Sequence, residues 1–263
     1  IQAHSTGVFL QMEKIAEAIK SNFPDYCETI YCKSSGTLPN TGTDYFLFGN
    51  KVEAVAKENN ILFSVNWVEG QKTGFFLDQR ENRKLLGEFS KGKKVLNTFC
   101  YTGGFSIYAM SAGAELVTSV DISQKAVDLA ASNMELNFPN ANHKAVADDV
   151  FNFMKEHTQQ YDVIVLDPPA FAKSIKSKHT ATQAYKRLNI AGLKALAPNG
   201  ILFTFSCSQV IDDVLFYNTV TAAAIETGRN IRVLHKLEQG PDHPTNIYHP
   251  EGHYLKGLVL FVE

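Results

Sequence analysis

From Gly92 onward the chain alternates between short apolar runs, rich in β-branched and aromatic residues, and segments of helical length. That alternation restricts the fold more than any other feature. It predicts strands near Lys94–Asn97, Leu116–Val120, His143–Ala147, Val163–Leu166, Ile201–Phe205, Ile231–Leu237 and Leu258–Val262, with helical segments between the first six. Such a pattern specifies a mostly parallel, doubly wound α/β sheet, which binds ligands beyond the carboxyl ends of its strands. The residues before it lack this regularity. Val8, Met12, Ile15, Ala16 and Ile19 fall at helical spacing and predict one amphipathic helix over Val8–Ser21. Strand candidates follow at Cys27–Cys32, Ile61–Glu69 and Phe75–Leu77, so the chain is expected to divide near residue 80 into a small α+β subdomain and the sheet domain.

The residues that carry chemistry stand where the strands end. The first strand of the regular region runs into Asn97-Thr98-Phe99-Cys100-Tyr101-Thr102-Gly103-Gly104-Phe105, a tight glycine turn entering a helix. Its spacing is not G-x-G-x-x-G and no Lys-Ser/Thr follows Gly104, which argues against pyrophosphate cofactors and nucleoside triphosphates. Asp121 ends the second strand, where an acid hydrogen-bonds a ribose diol, and Asp148 or Asp149 follows the third, near the expected place of an adenine edge. Taken singly, each of these acids could equally be a helix cap. Together with a glycine turn that has no phosphate machinery, they describe S-adenosylmethionine. The fourth and fifth strands lead into Asp167-Pro168-Pro169-Ala170-Phe171 and Ser206-Cys207-Ser208. As parallel neighbours they would set a carboxylate and a thiol side by side in the same crevice, an arrangement suited to covalent chemistry on a flat base.

The run Gly70-Gln71-Lys72-Thr73-Gly74-Phe75-Phe76-Leu77-Asp78-Gln79-Arg80-Glu81-Asn82-Arg83, with Asn97–Phe105, Asp121, Asp167-Pro168-Pro169 and Ser206-Cys207-Ser208, resembles the bacterial 23S ribosomal RNA cytosine-5 methyltransferases. Those enzymes are class I S-adenosylmethionine-dependent methyltransferases with an N-terminal PUA domain, a small central α/β domain and a Rossmann-like catalytic domain. The match covers nearly the whole chain. The resemblance implies a central subdomain over residues 1–80, a methyltransferase domain over residues 81–263, and the strand order 3-2-1-4-5-7-6 with the last strand antiparallel. It also implies that the PUA domain is lacking, in keeping with the start at Ile1. Lys72–Arg80 would close over the cofactor. Cofactor contacts carry over to Lys72, Thr73, Phe75, Asp78, Arg80, Asn97, Phe99, Tyr101, Thr102, Gly103, Asp121, Ile122, Asp148, Asp149, Val150, Asp167 and Pro168, and catalysis to Cys207 and Asp167.

Cytosine itself explains why a cysteine is wanted. C5 of a pyrimidine is a poor nucleophile until a thiolate adds at C6 and makes the ring enamine-like. The implied substrate is 23S ribosomal RNA, the implied compartment the cytoplasm, and a homodimer is the candidate assembly, with no membrane partner. Three other classes share parts of this pattern. Exocyclic-amino methyltransferases share an Asp-Pro-Pro turn but need no cysteine. Uridine-5 methyltransferases usually continue Cys-Asn-Pro, whereas Ser208-Gln209 stands here, and an inactive RNA-binding assembly factor would not need intact motifs.

Composition adds exclusions. A net charge of −2 carries no global sign of nucleic-acid binding, and no apolar run reaches the roughly 20 residues of a membrane span. Cys27, Cys32, Cys100 and Cys207 form neither a CxxC pair nor a disulfide framework. Lys173–His179 is the best local basic patch, with a solvated loop as the equal alternative. His243, His249 and His253 match no zinc spacing. Trp67, Phe75 and Phe76 are read as core more readily than as base-stacking rings, and Cys100 as a packing residue.

Overall fold

The computed structural model describes every residue of the chain except Lys72 and Lys173. It separates into two compact units, Ile1–Phe76 and Leu77–Glu263.

The first unit holds α1 (Thr6–Phe9), α2 (Met12–Asn22) and two antiparallel hairpin pairs: β1 (Ile30–Lys33) with β2 (Asp44–Phe48), and β3 (Glu53–Glu58) with β4 (Ile61–Asn66). The single helix expected over Val8–Ser21 is broken in two. Ser5 caps a first turn, then Gln11 bonds back to Val8 rather than continuing the spiral, so Met12 and Ala16 face inward while Val8 and Leu10 are left exposed. Cys27–Cys32 begins as a turn, with the Tyr26 and Cys27 amides donating to the Phe23 carbonyl, and extends only from Ile30. The strand expected over Ile61–Glu69 stops at Asn66, whose Oδ1 accepts from the Val68 and Glu69 amides and folds the chain over. No strand forms over Phe75–Leu77. Gly74 sits at φ 97° against the Asn66 carbonyl, and Leu77–Gln79 is a 3-10 turn. Strands β2 and β3 were not anticipated; β3 is exposed along nearly its whole length and carries no alternation to read.

The second unit contains α3 (Arg80–Glu88), β5 (Lys94–Thr98), α4 (Gly104–Ser111), β6 (Leu116–Asp121), α5 (Gln124–Asn137), β7 (His143–Ala147), α6 (Val150–Glu156), β8 (Tyr161–Leu166), α7 (Lys178–Ala195), β9 (Leu196–Ser206), α8 (Asp213–Thr227), β10 (Ile231–Leu237) and β11 (Lys256–Val262). Its seven strands are ordered β10-β11-β9-β8-β5-β6-β7. Counted from β5 as the first, this is the expected order 3-2-1-4-5-7-6. Strands β5 to β9 run parallel, and β11 is antiparallel to both β9 and β10. The central strands are buried on both faces, as a parallel sheet covered by helices requires; Val163–Leu166 and Leu202–Phe205 have no solvent contact.

Candidate active site

The turn after β5 is backbone held against its preference. Phe99 and Tyr101, neither a glycine, have φ of 54° and 45°, and Gly103 has 77°. Left-handed geometry at two aromatic residues is the kind of strain that clusters at binding sites. It is maintained by the Cys100 amide donating to the Val120 carbonyl (3.1 Å) and the Gly103 amide to the Cys100 carbonyl (2.8 Å). Asp121, at the end of β6, clasps the same turn: Oδ2 accepts from the Tyr101 amide at 3.2 Å and Oδ1 from the Ser123 amide at 3.0 Å. Next to it Ile122 stands 77% exposed, an apolar face beside a carboxylate. Beneath the turn Thr102 is buried, its carbonyl accepting from Asn133 Nδ2 at 3.0 Å. Cys100 is buried too. Burial first, and Asp121 second, push its thiol far above the ordinary range, which leaves it a packing residue.

Asn97 is turned inward. Its Nδ2 donates to Ser106 Oγ (2.9 Å), Ser106 meets Ser119 (2.6 Å), and Ser119 meets His143 Nε2 (2.8 Å), a polar chain crossing from β5 through α4 to β7. Burial lowers the His143 pKa to about 4, so the ring is neutral at pH 7. Of the two acids after β7, Asp149 caps α6 by accepting from the Phe151 and Asn152 amides. Asp148 takes the Asp149 amide on Oδ1 alone, and Val150 is buried behind them.

Asp78 and Arg80 enter at the start of α3. Asp78 Oδ2 accepts the Tyr254 hydroxyl at 2.7 Å, whereas its Oδ1 is buried without a hydrogen-bond partner. Arg80 reaches Asp242 at 3.3 Å. Behind them Gly104 lies against Arg83, where a Cβ would come 2.9 Å from Arg83 Cδ. Of the other residues carried over, Thr73 and Phe75 belong to the first unit, where Thr73 is exposed and Phe75 packs on Phe63 at 4.7 Å between ring centroids. Lys72 lies outside the described residues, as does Lys173 of the basic patch.

The register aligns Leu166 of β8 with Thr204 of β9, so the Asp-Pro-Pro turn and the cysteine segment leave adjacent strands. Cys207 Sγ lies 4.0 Å from the Pro168 carbonyl oxygen. Ser208, buried, ties this segment to the other turn by donating to the Ala172 carbonyl at 2.7 Å. Two further residues lie here: Tyr185, which the sequence reading did not single out, and Lys256, which falls in the Tyr254–Gly257 stretch that the resemblance places at the border of the substrate pocket. Tyr185 of α7 is fully buried, its hydroxyl pushed up to about 12 by burial, with Cys207 and Asp167 in its electrostatic surroundings. Lys256 opens β11 opposite Ser206, also buried. Among the described residues no group of three or more His, Cys, Asp or Glu is placed to hold a metal ion; His243, His249 and His253 pair instead with Asp242, Glu251 and Asp213.

The donor set fits S-adenosylmethionine: a carboxylate beside an exposed apolar residue, a second acid one strand away, a turn without phosphate machinery, and a buried acceptor atom at Asp78 with capacity to spare. A family model described as S-adenosylmethionine-dependent methyltransferase matches residues 38–259. The chain is 39% identical over 268 residues to the ribosomal RNA large subunit methyltransferase I of Aeromonas hydrophila, covering 98% of this chain and 68% of that protein. The protein of the same name from Vibrio vulnificus is also 39% identical, over 272 residues, covering 99% of this chain and 68% of its own length. Among solved structures, a SAM-dependent methyltransferase from Streptococcus mutans superposes with a TM-score of 0.85 at 27% identity, over 99% of this chain and 68% of that one. Trm5b from Pyrococcus abyssi, at 18% identity and a TM-score of 0.75 over 100% of this chain and 72% of that one, shares the fold.

Proposed function

Because the chain belongs to the S-adenosylmethionine-dependent methyltransferase family that includes the ribosomal RNA large subunit methyltransferases I, we propose that it forms 5-methylcytidine in 23S ribosomal RNA, in the cytoplasm. The observation that carries this reading is Cys207 at the end of β9, 4.0 Å from the Pro168 carbonyl of the Asp-Pro-Pro turn. Asp121 would hold the ribose diol, Asp148 the adenine amino edge with Ile122 against the ring, and Asp78 the amino group of the methionine moiety. Bound there, S-adenosylmethionine supplies an electrophilic sulfonium methyl that becomes the C5 methyl of the base.

The chain's own residues do the rest. Pro168 and Pro169 stiffen the turn that shapes the base pocket. Asp167 holds the pyrimidine N3/N4 edge or orients the nucleophile. The Cys207 thiolate adds to C6, forming an S–C bond and moving the ring electrons to C5. After methylation a base takes the C5 proton, the S–C bond breaks, and Cys207 leaves as thiolate. An exocyclic-amino methyltransferase would have no use for a thiol at this place.

RNA carrying 5-fluorocytidine at the target tests the reading, since fluorine cannot leave as a proton does. Wild-type enzyme should form an adduct that survives a denaturing gel, Cys207→Ala should form none and lose turnover while keeping cofactor binding, and Cys100→Ala should still trap. A substrate carrying 5-fluorouridine addresses the uridine-5 alternative in the same gel. Near wild-type methylation by Cys207→Ala would overturn the cysteine mechanism.

A further inference from the structure

Lys256 is 3% exposed, and its Nζ donates to the Ser208 carbonyl at 2.8 Å and the Tyr254 carbonyl at 2.7 Å. An ammonium has three protons, and two are accounted for. No carboxylate pairs with it among the described residues. Two carboxylates in its electrostatic surroundings are committed elsewhere: Asp213 to His253 at 3.2 Å, and Asp212 to the Leu215 amide in the first turn of α8 and to Lys178 at 3.5 Å. A buried cation without a paired anion is unfavourable unless an anion forms beside it. Burial lowers the Lys256 pKa, and Asp213, Cys207 and Asp212, in that order, oppose the shift.

Tyr185, Tyr254 and Asp167, described residues of the same surroundings, carry no positive charge. Tyr185 of α7 and Tyr254 of the segment before β11 are both pushed up by burial and stay neutral, and Asp167 of the turn after β8 is an acid. The Lys256 ammonium lies in the electrostatic surroundings of Cys207, its backbone paired with Ser206 and its Nζ bonded to the Ser208 carbonyl, the residues on either side of the thiol. Tyr254 links the ammonium onward, since its hydroxyl donates to Asp78.

We propose that Lys256 is a positioning residue for Cys207, fixing the segment after the nucleophile through the Ser208 carbonyl and serving as counter-charge to the thiolate. This rests on the reading of Cys207 as nucleophile. A purely structural lysine would alter stability and leave the thiol's titration alone.

The experiment is alkylation of the cofactor-free enzyme by iodoacetamide across pH 5–10, with Cys207 followed by peptide mass and N-acetylcysteine in the same mixture as reference. In wild type the Cys207 midpoint should fall below the reference. Lys256→Met should move it up by about 1–3 pH units and slow alkylation at pH 7 roughly tenfold or more, and Lys256→Arg, which keeps the charge, should stay near wild type. An unchanged midpoint in Lys256→Met that retains its circular dichroism and S-adenosylhomocysteine binding overturns the proposal. So does a wild-type midpoint at or above the reference, which decides the matter even if Lys256→Met does not fold. Failure of the parent reading looks different, because it appears as methylation by Cys207→Ala whatever the alkylation profile of Lys256→Met.

Discussion

Asp121 does two jobs at the residue scale, and they separate by experiment. Its carboxylate receives the Tyr101 and Ser123 amides and so shapes the strained turn, and on the proposed reading it also presents an acceptor for a ribose diol. Calorimetry with S-adenosylhomocysteine should show Asp121→Ala binding more weakly by about 1.5–3 kcal/mol, from loss of a charge-assisted hydrogen bond. Asp121→Asn, which can still accept, should lose less; equal binding by all three proteins would remove Asp121 from the site. The strand-end acids were legible in the sequence because their spacing from one another is set by the βα repeat. Tyr185 was not, since it reaches the site only through helix packing, which leaves no local pattern, and the bonds of Lys256 to the cysteine segment depend on sheet register, which the sequence of its own stretch does not encode.

At the scale of elements, β7 depends on a neutral histidine. His143 meets Ser119 on β6 at 2.8 Å, and burial holds its pKa at about 4 against 6.5 in the unfolded chain. The unfolded state therefore binds the proton more readily. Stability is whole above pH 6.5 and falls as the pH drops from there toward 4. Urea midpoints at pH 7.5 and pH 5 should differ more in wild type than in His143→Gln; equal differences would show that another group sets the acid sensitivity. The contrast between the two units has a related cause. Strands of a helix-covered parallel sheet are continuous apolar runs and stand out in a sequence, while the hairpins of the first unit take their ends from Asn66 side-chain bonds and from Gly74, which apolar periodicity does not encode.

For the whole molecule, charge limits how RNA is held. With a net charge of −2 the chain has no overall excess of cations to draw a polyanion, so binding of single-stranded RNA is expected to be weak and its salt dependence shallow, at about −0.7 in log K per log salt for each phosphate engaged. Filter binding between 50 and 200 mM salt measures the slope, and nanomolar, steeply salt-dependent binding would contradict it. Among the described residues no helix is long and apolar enough to cross a membrane. The sheet's topology bears on how the molecule comes to exist at all. Strand β11 enters between β9 and β10, both synthesised before it, so β9 keeps an open edge until β11 docks. Docking is also what delivers Lys256 to the Ser208 carbonyl. On the proposed reading, the surroundings of Cys207 are therefore complete only once the last strand of the chain is in place, although the cysteine itself precedes that strand by some fifty residues.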